Sequence, residues 1–131
     1  MAGGAAARSV GAMNPHTLTL RSSQALLALM GALVCFGSIY FSAIAPPVEV
    51  DALGWAVGAW AFAMAIAMLV CAVRLPAGKR ARVLALRLLA LHFVFGIVKV
   101  VGYDEPEAGL FIAFDVAGIA LLARLGGRRT R

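Results

Sequence analysis

Residues 52–73 have the sequence ALGWAVGAWAFAMAIAMLVCAV, which contains no charged side chain and no proline. A helix needs about 20 residues to cross the hydrocarbon core of a bilayer, and this stretch is long enough. A spanning strand would need only about 10 residues and would alternate in polarity, which this stretch does not do. Because every backbone amide in lipid must be hydrogen-bonded internally, the stretch is predicted to be a transmembrane helix.

Three further apolar stretches resemble this one in length and composition. The chain as a whole is 63% hydrophobic and 14% charged, whereas soluble domains are about 45–50% apolar and about 25% charged. The predicted fold class is therefore all-α, a polytopic membrane protein forming a four-transmembrane-helix antiparallel bundle. Its transmembrane domain covers residues 23–125, with spans at about 23–45, 52–73, 82–102 and 107–125.

The segments between the predicted spans are short and contain helix-breaking residues. Pro46, Pro76 and Pro106 interrupt the first, second and third connections, and proline cannot donate the backbone hydrogen bond of a helix interior. Short connections place sequential helices side by side in opposite directions. Residues 1–22, rich in alanine, glycine and serine, are predicted to be a mobile cytoplasmic tail, and residues 126–131 a basic cytoplasmic tail.

Basic and acidic residues lie in different connections, although the net charge is +6. Lysine and arginine cluster around the second connection and after the fourth span, whereas the first and third connections are acidic. Cytoplasmic segments of membrane proteins carry the excess of basic residues. The sequence therefore predicts a multi-pass protein of the cell membrane with both termini in the cytoplasm. The basic residues are not interleaved with aromatic ones, so nucleic acid is not predicted as a partner.

Small residues recur every four positions on two of the spans. Gly54 and Gly58 have this spacing in the second span, and Gly109, Ala113 and Ala117 have it in the fourth. In lipid, close helix association depends on small side chains rather than on the hydrophobic effect. The pattern predicts helix packing, either inside one bundle or against another chain. The predicted partners are thus the lipid bilayer and a homo-oligomer or a larger membrane-protein complex.

Ionisable residues inside a span are costly and are therefore candidates for function. His92 is at the middle of the third predicted span, and Asp115 is close to the middle of the fourth. Lys99 shares the helix face of His92 to within about 20°. Because the two spans are antiparallel neighbours, we expect Asp115 to lie in depth between His92 and Lys99, within reach of either one if the helix faces match. Such a pair would either pin two helices together or hold a proton or small ion.

Other chemical motifs are sparse. Cys35 and Cys71 are predicted to be free thiols, because their depths differ by roughly 12 Å and a disulfide needs Cα atoms within about 7 Å. No residue pattern predicts a metal site or a cofactor. The first functional hypothesis is a non-enzymatic accessory or assembly subunit, or a structural bundle. The alternatives are a proton- or ion-linked transporter or channel component using Asp115 with His92 or Lys99, and an intramembrane enzyme acting on a lipid or quinone.

Overall fold

The structure is a computed structural model that describes residues 13–40 and 52–127. Each of its four long helices is long and apolar enough to cross a membrane. This finding confirms the predicted all-α class and the four helices of spanning length. A short 3₁₀ turn, Leu75–Ala77, follows the second helix. The helices are α1 Pro15–Ile39, α2 Ala52–Arg74, α3 Lys79–Tyr103 and α4 Ala108–Gly127.

Helix α1 begins at Pro15, inside the segment that the sequence predicted to be a tail. The side chain of Asn14 accepts a hydrogen bond from the backbone N–H of His16 at 3.0 Å, and proline occupies the first turn. Both features favour a helix start. The Thr19 and Ser23 hydroxyl groups donate to the carbonyl oxygens four residues earlier, so polar side chains are accommodated within the helix. Residues 1–12, 41–51 and 128–131, which include the rest of the predicted tails, lie outside the described residues.

Helices α1 and α2 form one antiparallel pair. The side-chain amide of Gln24 donates to the carbonyl oxygen of Ala72 at 2.8 Å. Further along α1, a Cβ atom added to Gly31 would lie 2.8 Å from Cγ of Leu69 and 3.0 Å from the carbonyl oxygen of Ala65. The absence of a side chain at Gly31 therefore permits the close approach of the two backbones.

Helices α3 and α4 form the second antiparallel pair, again with glycines at the closest contacts. A Cβ atom at Gly96 would lie 2.9 Å from Cγ1 of Ile112, and one at Gly118 would lie 2.8 Å from Cδ1 of Leu89. The same added atom at Gly118 would be 3.2 Å from Leu26 of α1. Contacts of α1 with α4 and of α2 with α3 close the ring of four helices.

Buried side chains are distributed unevenly along the bundle. They concentrate where α2 ends and α3 begins, which we call the packed end. No residue of α1 after Gly31 and no residue of α2 before Met64 is buried. At the opposite end, which we call the open end, the α1–α2 pair therefore separates from the α3–α4 pair. The apolar core at the packed end comprises Leu27, Met30, Met64, Met68, Cys71, Ala72, Leu75, Ala85, Leu89, Leu122 and Leu125.

The small residues predicted to pack helices face elsewhere. Gly109, Ala113 and Ala117 are all exposed, because Asp115 turns the opposite face of α4 toward α3. These three residues therefore do not pack helices together inside the bundle. That they pack against another chain stays a prediction. Gly54 and Gly58 are partly buried and line a cavity at the open end.

Candidate functional site

A buried pair of polar side chains, His92 and Asp115, joins α3 to α4. The Nδ1 atom of His92 lies 2.8 Å from Oδ2 and 3.0 Å from Oδ1 of Asp115. Asp115 is 0% exposed and His92 only 6% exposed. The two residues meet because α3 and α4 are antiparallel and stay in contact along their length. The structure thus brings together two of the three ionisable residues that the sequence singled out.

The carboxylate of Asp115 depends on His92 alone for its hydrogen bonds within the described part of the chain. A buried carboxylate without a partner would be very costly in a low-dielectric interior. With Asp115 ionised, Nδ1 of His92 carries a hydrogen and donates a hydrogen bond to the carboxylate. In a neutral imidazole ring of this tautomer the lone pair is on Nε2.

His92 also borders a cavity between the two helix pairs at the open end. The cavity has a volume of about 670 Å³, within the range of about 300–1,000 Å³ that is typical of small-molecule sites. All four helices contribute to its wall, which is mainly apolar and aromatic. The described lining residues are Leu33, Val34, Gly37, Ser38, Gly54, Trp55, Val57, Gly58, Ala61, Met64, His92, Phe95, Gly96, Lys99, Glu105, Glu107, Ala108 and Phe111.

His92 forms the polar part of the cavity floor. Leu89, one turn before it on α3, is fully buried in the core of the packed end, whereas Phe95 and Gly96, one turn after it, line the cavity. The ring of Phe111 meets the imidazole ring edge-on, with the ring centroids 6.0 Å apart. His92 therefore lies at the boundary between the packed core and the cavity, with Asp115 behind it.

Lys99, the third predicted site residue, lies near the other end of the cavity and pairs with a different acid. Its Nζ atom is 2.6 Å from Oε2 of Glu105 and 5.9 Å from the centroid of the Phe95 ring. Asp104 ends α3 in the left-handed conformation with φ 54°, which aspartate tolerates better than most residues. The chain consequently turns back, and the Glu105 N–H donates to the Lys99 carbonyl oxygen at 3.3 Å.

The geometry separates the two pairing schemes that the sequence left open. Asp115 pairs with His92, and Lys99 pairs with Glu105. Of the charged residues at the open end of the cavity, Lys99 and Glu105 neutralise each other, and Glu107 is a second acid there. Arg87, another ionisable residue of the third predicted span, is exposed and does not line the cavity.

Several residues of the site could not be singled out from the sequence. The aromatic residues Phe95 and Phe111 had no signal beyond general hydrophobicity, because a phenylalanine in a span faces lipid as readily as it faces a cavity. Gln24 did carry a signal, since an amide inside an apolar stretch needs a hydrogen-bonding partner. Its bond to the Ala72 carbonyl oxygen fixes the α1–α2 pair away from the cavity.

Metal ligation and similarity to known proteins add no further assignment. The described residues contain no group of three or more histidine, cysteine, aspartate or glutamate side chains that could hold a metal ion. Cys35 and Cys71 are both free thiols. The chain matches no protein-family model, no curated protein and no solved structure. The cavity and the side chains around it are therefore the features of the chain that indicate a function.

Proposed function

We propose that the chain is a non-enzymatic integral protein of the cell membrane that binds a small hydrophobic molecule in its cavity and acts as an accessory subunit. The observation that carries this proposal is the cavity of about 670 Å³ with the His92–Asp115 pair at its floor. An apolar cavity with a few convergent polar groups is the usual form of a small-molecule site. Simple packing of four helices would not require such a space.

The proposed orientation places both termini in the cytoplasm and the open end on the outer side. The packed end carries Arg74, Lys79, Arg80 and Arg82. The open end carries Asp104, Glu105 and Glu107 instead. The excess of basic residues on one side supports a cytoplasmic location for the packed end. The cavity would then lie in the outer half of the bilayer.

The polar groups around the cavity support binding rather than catalysis. Lys99 and Glu105 are engaged with each other, and Asp115 is engaged with His92. An enzyme needs a nucleophile, a proton donor and groups that stabilise developing charge, all converging on one point. Among the described lining residues, His92 is the one whose side chain is hydrogen-bonded to a buried carboxylate, and one imidazole suffices to orient a bound molecule.

The accessory role is supported by the outward face of α4. Gly109, Ala113 and Ala117 present small side chains on the surface of the bundle, where another helix could approach closely. A chain with short connections has little surface outside the membrane for other partners. We therefore propose that the bound molecule is held within a larger assembly, formed with copies of this chain or with another membrane protein.

A cavity-filling substitution tests the binding proposal. A Cβ atom at Gly58 would meet no other atom within 4 Å, and Gly58 lines the cavity. Gly58→Phe should therefore occupy the cavity without disturbing helix contacts. Gly102→Phe is the matched control, because a Cβ atom there also meets nothing within 4 Å and Gly102 lies on the exposed surface of α3.

The measurement is mass spectrometry of hydrophobic molecules that copurify with the protein in mild detergent. The wild-type protein and Gly102→Phe should retain the same molecule in similar amounts, and Gly58→Phe should lose it. Equal retention by all three proteins, or retention by none, would rule out the cavity as the binding site. The mass of the same purified sample tests the accessory role, since a lone monomer would contradict it.

A further inference from the structure

The hydrogen bond between His92 and Asp115 determines which atom the floor of the cavity offers to a ligand. Nδ1 of His92 is occupied by both oxygens of the carboxylate, at 2.8 and 3.0 Å. A neutral imidazole ring has one N–H donor and one lone-pair acceptor. Because Nδ1 supplies the donor to Asp115, the neutral ring keeps its acceptor on Nε2. That atom has no hydrogen-bonding partner among the described residues, and His92 borders the cavity.

Building on the proposed function, we propose that the bound molecule is apolar and carries an aromatic hydroxyl group at its buried end, which donates a hydrogen bond to Nε2 of His92. The hydroxyl group would then complete a chain of two hydrogen bonds, from the ligand to His92 and from His92 to Asp115. Every polar atom at the floor would have a partner, as buried polar atoms require. The ligand is held, and no covalent bond forms or breaks.

The charges around the cavity favour a neutral hydroxyl group over an acid. A carboxylate at the floor would face the buried charge of Asp115 through a single imidazole ring. The nearest cation in the cavity wall is Lys99, and its charge is already matched by Glu105 at 2.6 Å. A ligand whose buried end is only an acceptor, such as an ether, would place a lone pair against the lone pair of Nε2. The hydroxyl group avoids both penalties.

The wall next to His92 suits a flat ring. The Phe111 ring meets His92 edge-on at 6.0 Å between centroids, and Phe95 and Trp55 also line the cavity. Aromatic side chains contact a planar ligand by stacking and by edge-to-face packing, and such contacts add to simple burial. The apolar remainder of the molecule would extend toward the open end, past Val34 and Gly58.

Trp55 provides a way to measure this binding directly. The chain contains two tryptophans, so Trp60→Phe leaves the cavity residue Trp55 as the only one. The probes are para-octylphenol, para-octylanisole, in which a methyl group replaces the hydroxyl proton, and octylbenzene, which lacks the oxygen and controls for the bulk of that methyl group. Titrations follow Trp55 emission in lipid nanodiscs, with empty nanodiscs correcting for partition into the lipid.

We expect para-octylphenol to bind at least about tenfold more tightly than either of the other probes, the effect of one hydrogen bond to a buried acceptor. The double variant His92→Phe with Asp115→Val should bind all three probes with similar affinity. Removing both polar partners together avoids a buried unpaired charge, so this variant should fold.

The outcomes separate this inference from the proposed function. Equal affinity for the three probes in the Trp60→Phe protein would overturn the hydroxyl proposal but leave the cavity as a binding site. A preference for the phenol that survives in the double variant would also overturn it, because His92 would not be the acceptor. Failure of every probe to change Trp55 emission would overturn the proposed function together with this inference.

Discussion

The His92–Asp115 pair should contribute strongly to the coupling between α3 and α4, and a double-mutant cycle can measure that contribution. The variants are His92→Phe, Asp115→Val and the combination of both. Asp115 is 0% exposed, so either single substitution leaves a buried polar group without its partner. Removing one member of such a pair typically costs about 3–5 kcal/mol of the free energy of unfolding.

The double variant should be much more stable than the sum of the single effects suggests. Replacing both partners by apolar side chains removes the desolvation penalty along with the attraction, and this exchange is often close to neutral. Because the two single costs add up while the double variant is close to neutral, the expected coupling free energy between the two positions is at least about 3 kcal/mol and exceeds the cost of either single substitution. Unfolding by a denaturing detergent in mixed micelles, followed by circular dichroism, gives the four free energies that the cycle needs.

The Lys99–Glu105 pair provides the control cycle, since Lys99 is on the same helix as His92 and Glu105 follows just after that helix ends. Its side chains are 35% and 46% exposed, so solvent and headgroups screen the attraction. Exposed ion pairs usually contribute about 0–1 kcal/mol. The variants Lys99→Met and Glu105→Gln should therefore show a coupling below about 1 kcal/mol. A coupling for His92 and Asp115 no larger than that of the control pair would refute the argument that burial makes this contact strong.

Two further predictions concern packing and orientation. Gly31→Ala should lower the free energy of unfolding by about 1–3 kcal/mol relative to Gly37→Ala. The reason is that a Cβ atom at Gly31 would be 3.0 Å from a backbone carbonyl oxygen, whereas a Cβ atom at Gly37 meets nothing within 4 Å. Both variants gain the same helix propensity, so the difference between their thermal unfolding curves measures the cost of the steric clash at residue 31. Equal stability of the two variants would contradict the predicted clash. In intact cells, a membrane-impermeant thiol reagent should label Glu107→Cys but not Lys79→Cys, and the reverse pattern would mean that the orientation is inverted. Both positions are exposed.

Much of the fold followed from the sequence because it depends on local properties. Apolar length determines each helix of spanning size, and prolines mark the connections, so the four helices needed no tertiary information. The start of α1 was misplaced because a polar residue such as Thr19 looks like part of a tail until its hydroxyl group bonds to the Pro15 carbonyl oxygen of the helix backbone. Polar side chains near a helix start are therefore weak markers of its boundary.

The candidate site was only partly predictable. Counting residues from the tight third connection brought His92 and Asp115 to similar depths, since the antiparallel arrangement of α3 and α4 fixes their relative position. The pairing of Lys99 with Glu105 depends on the left-handed conformation of Asp104, which the sequence did not signal. The cavity depends on how far the two helix pairs separate, and no local pattern encodes that distance.

The glycines at the close helix contacts were also not predictable from a local sequence pattern. The close helix contacts are permitted by Gly31, Gly96 and Gly118. None of these three glycines belongs to the four-residue repeats of small residues that predicted helix packing. Gly58 does belong to one, and a side chain there would point into open space. A repeat of small residues shows that a close approach is permitted, whereas the neighbouring helix decides where it occurs.

The packed end and the open end of the bundle have different roles. Residues such as Met68 and Leu122 maintain the fold, whereas Val34 and Gly58 shape the cavity and contribute little to the core. Substitutions that alter the cavity should therefore have little effect on the free energy of unfolding. A chain built in this way can change the molecule that it recognises without altering the half of the bundle that holds it together.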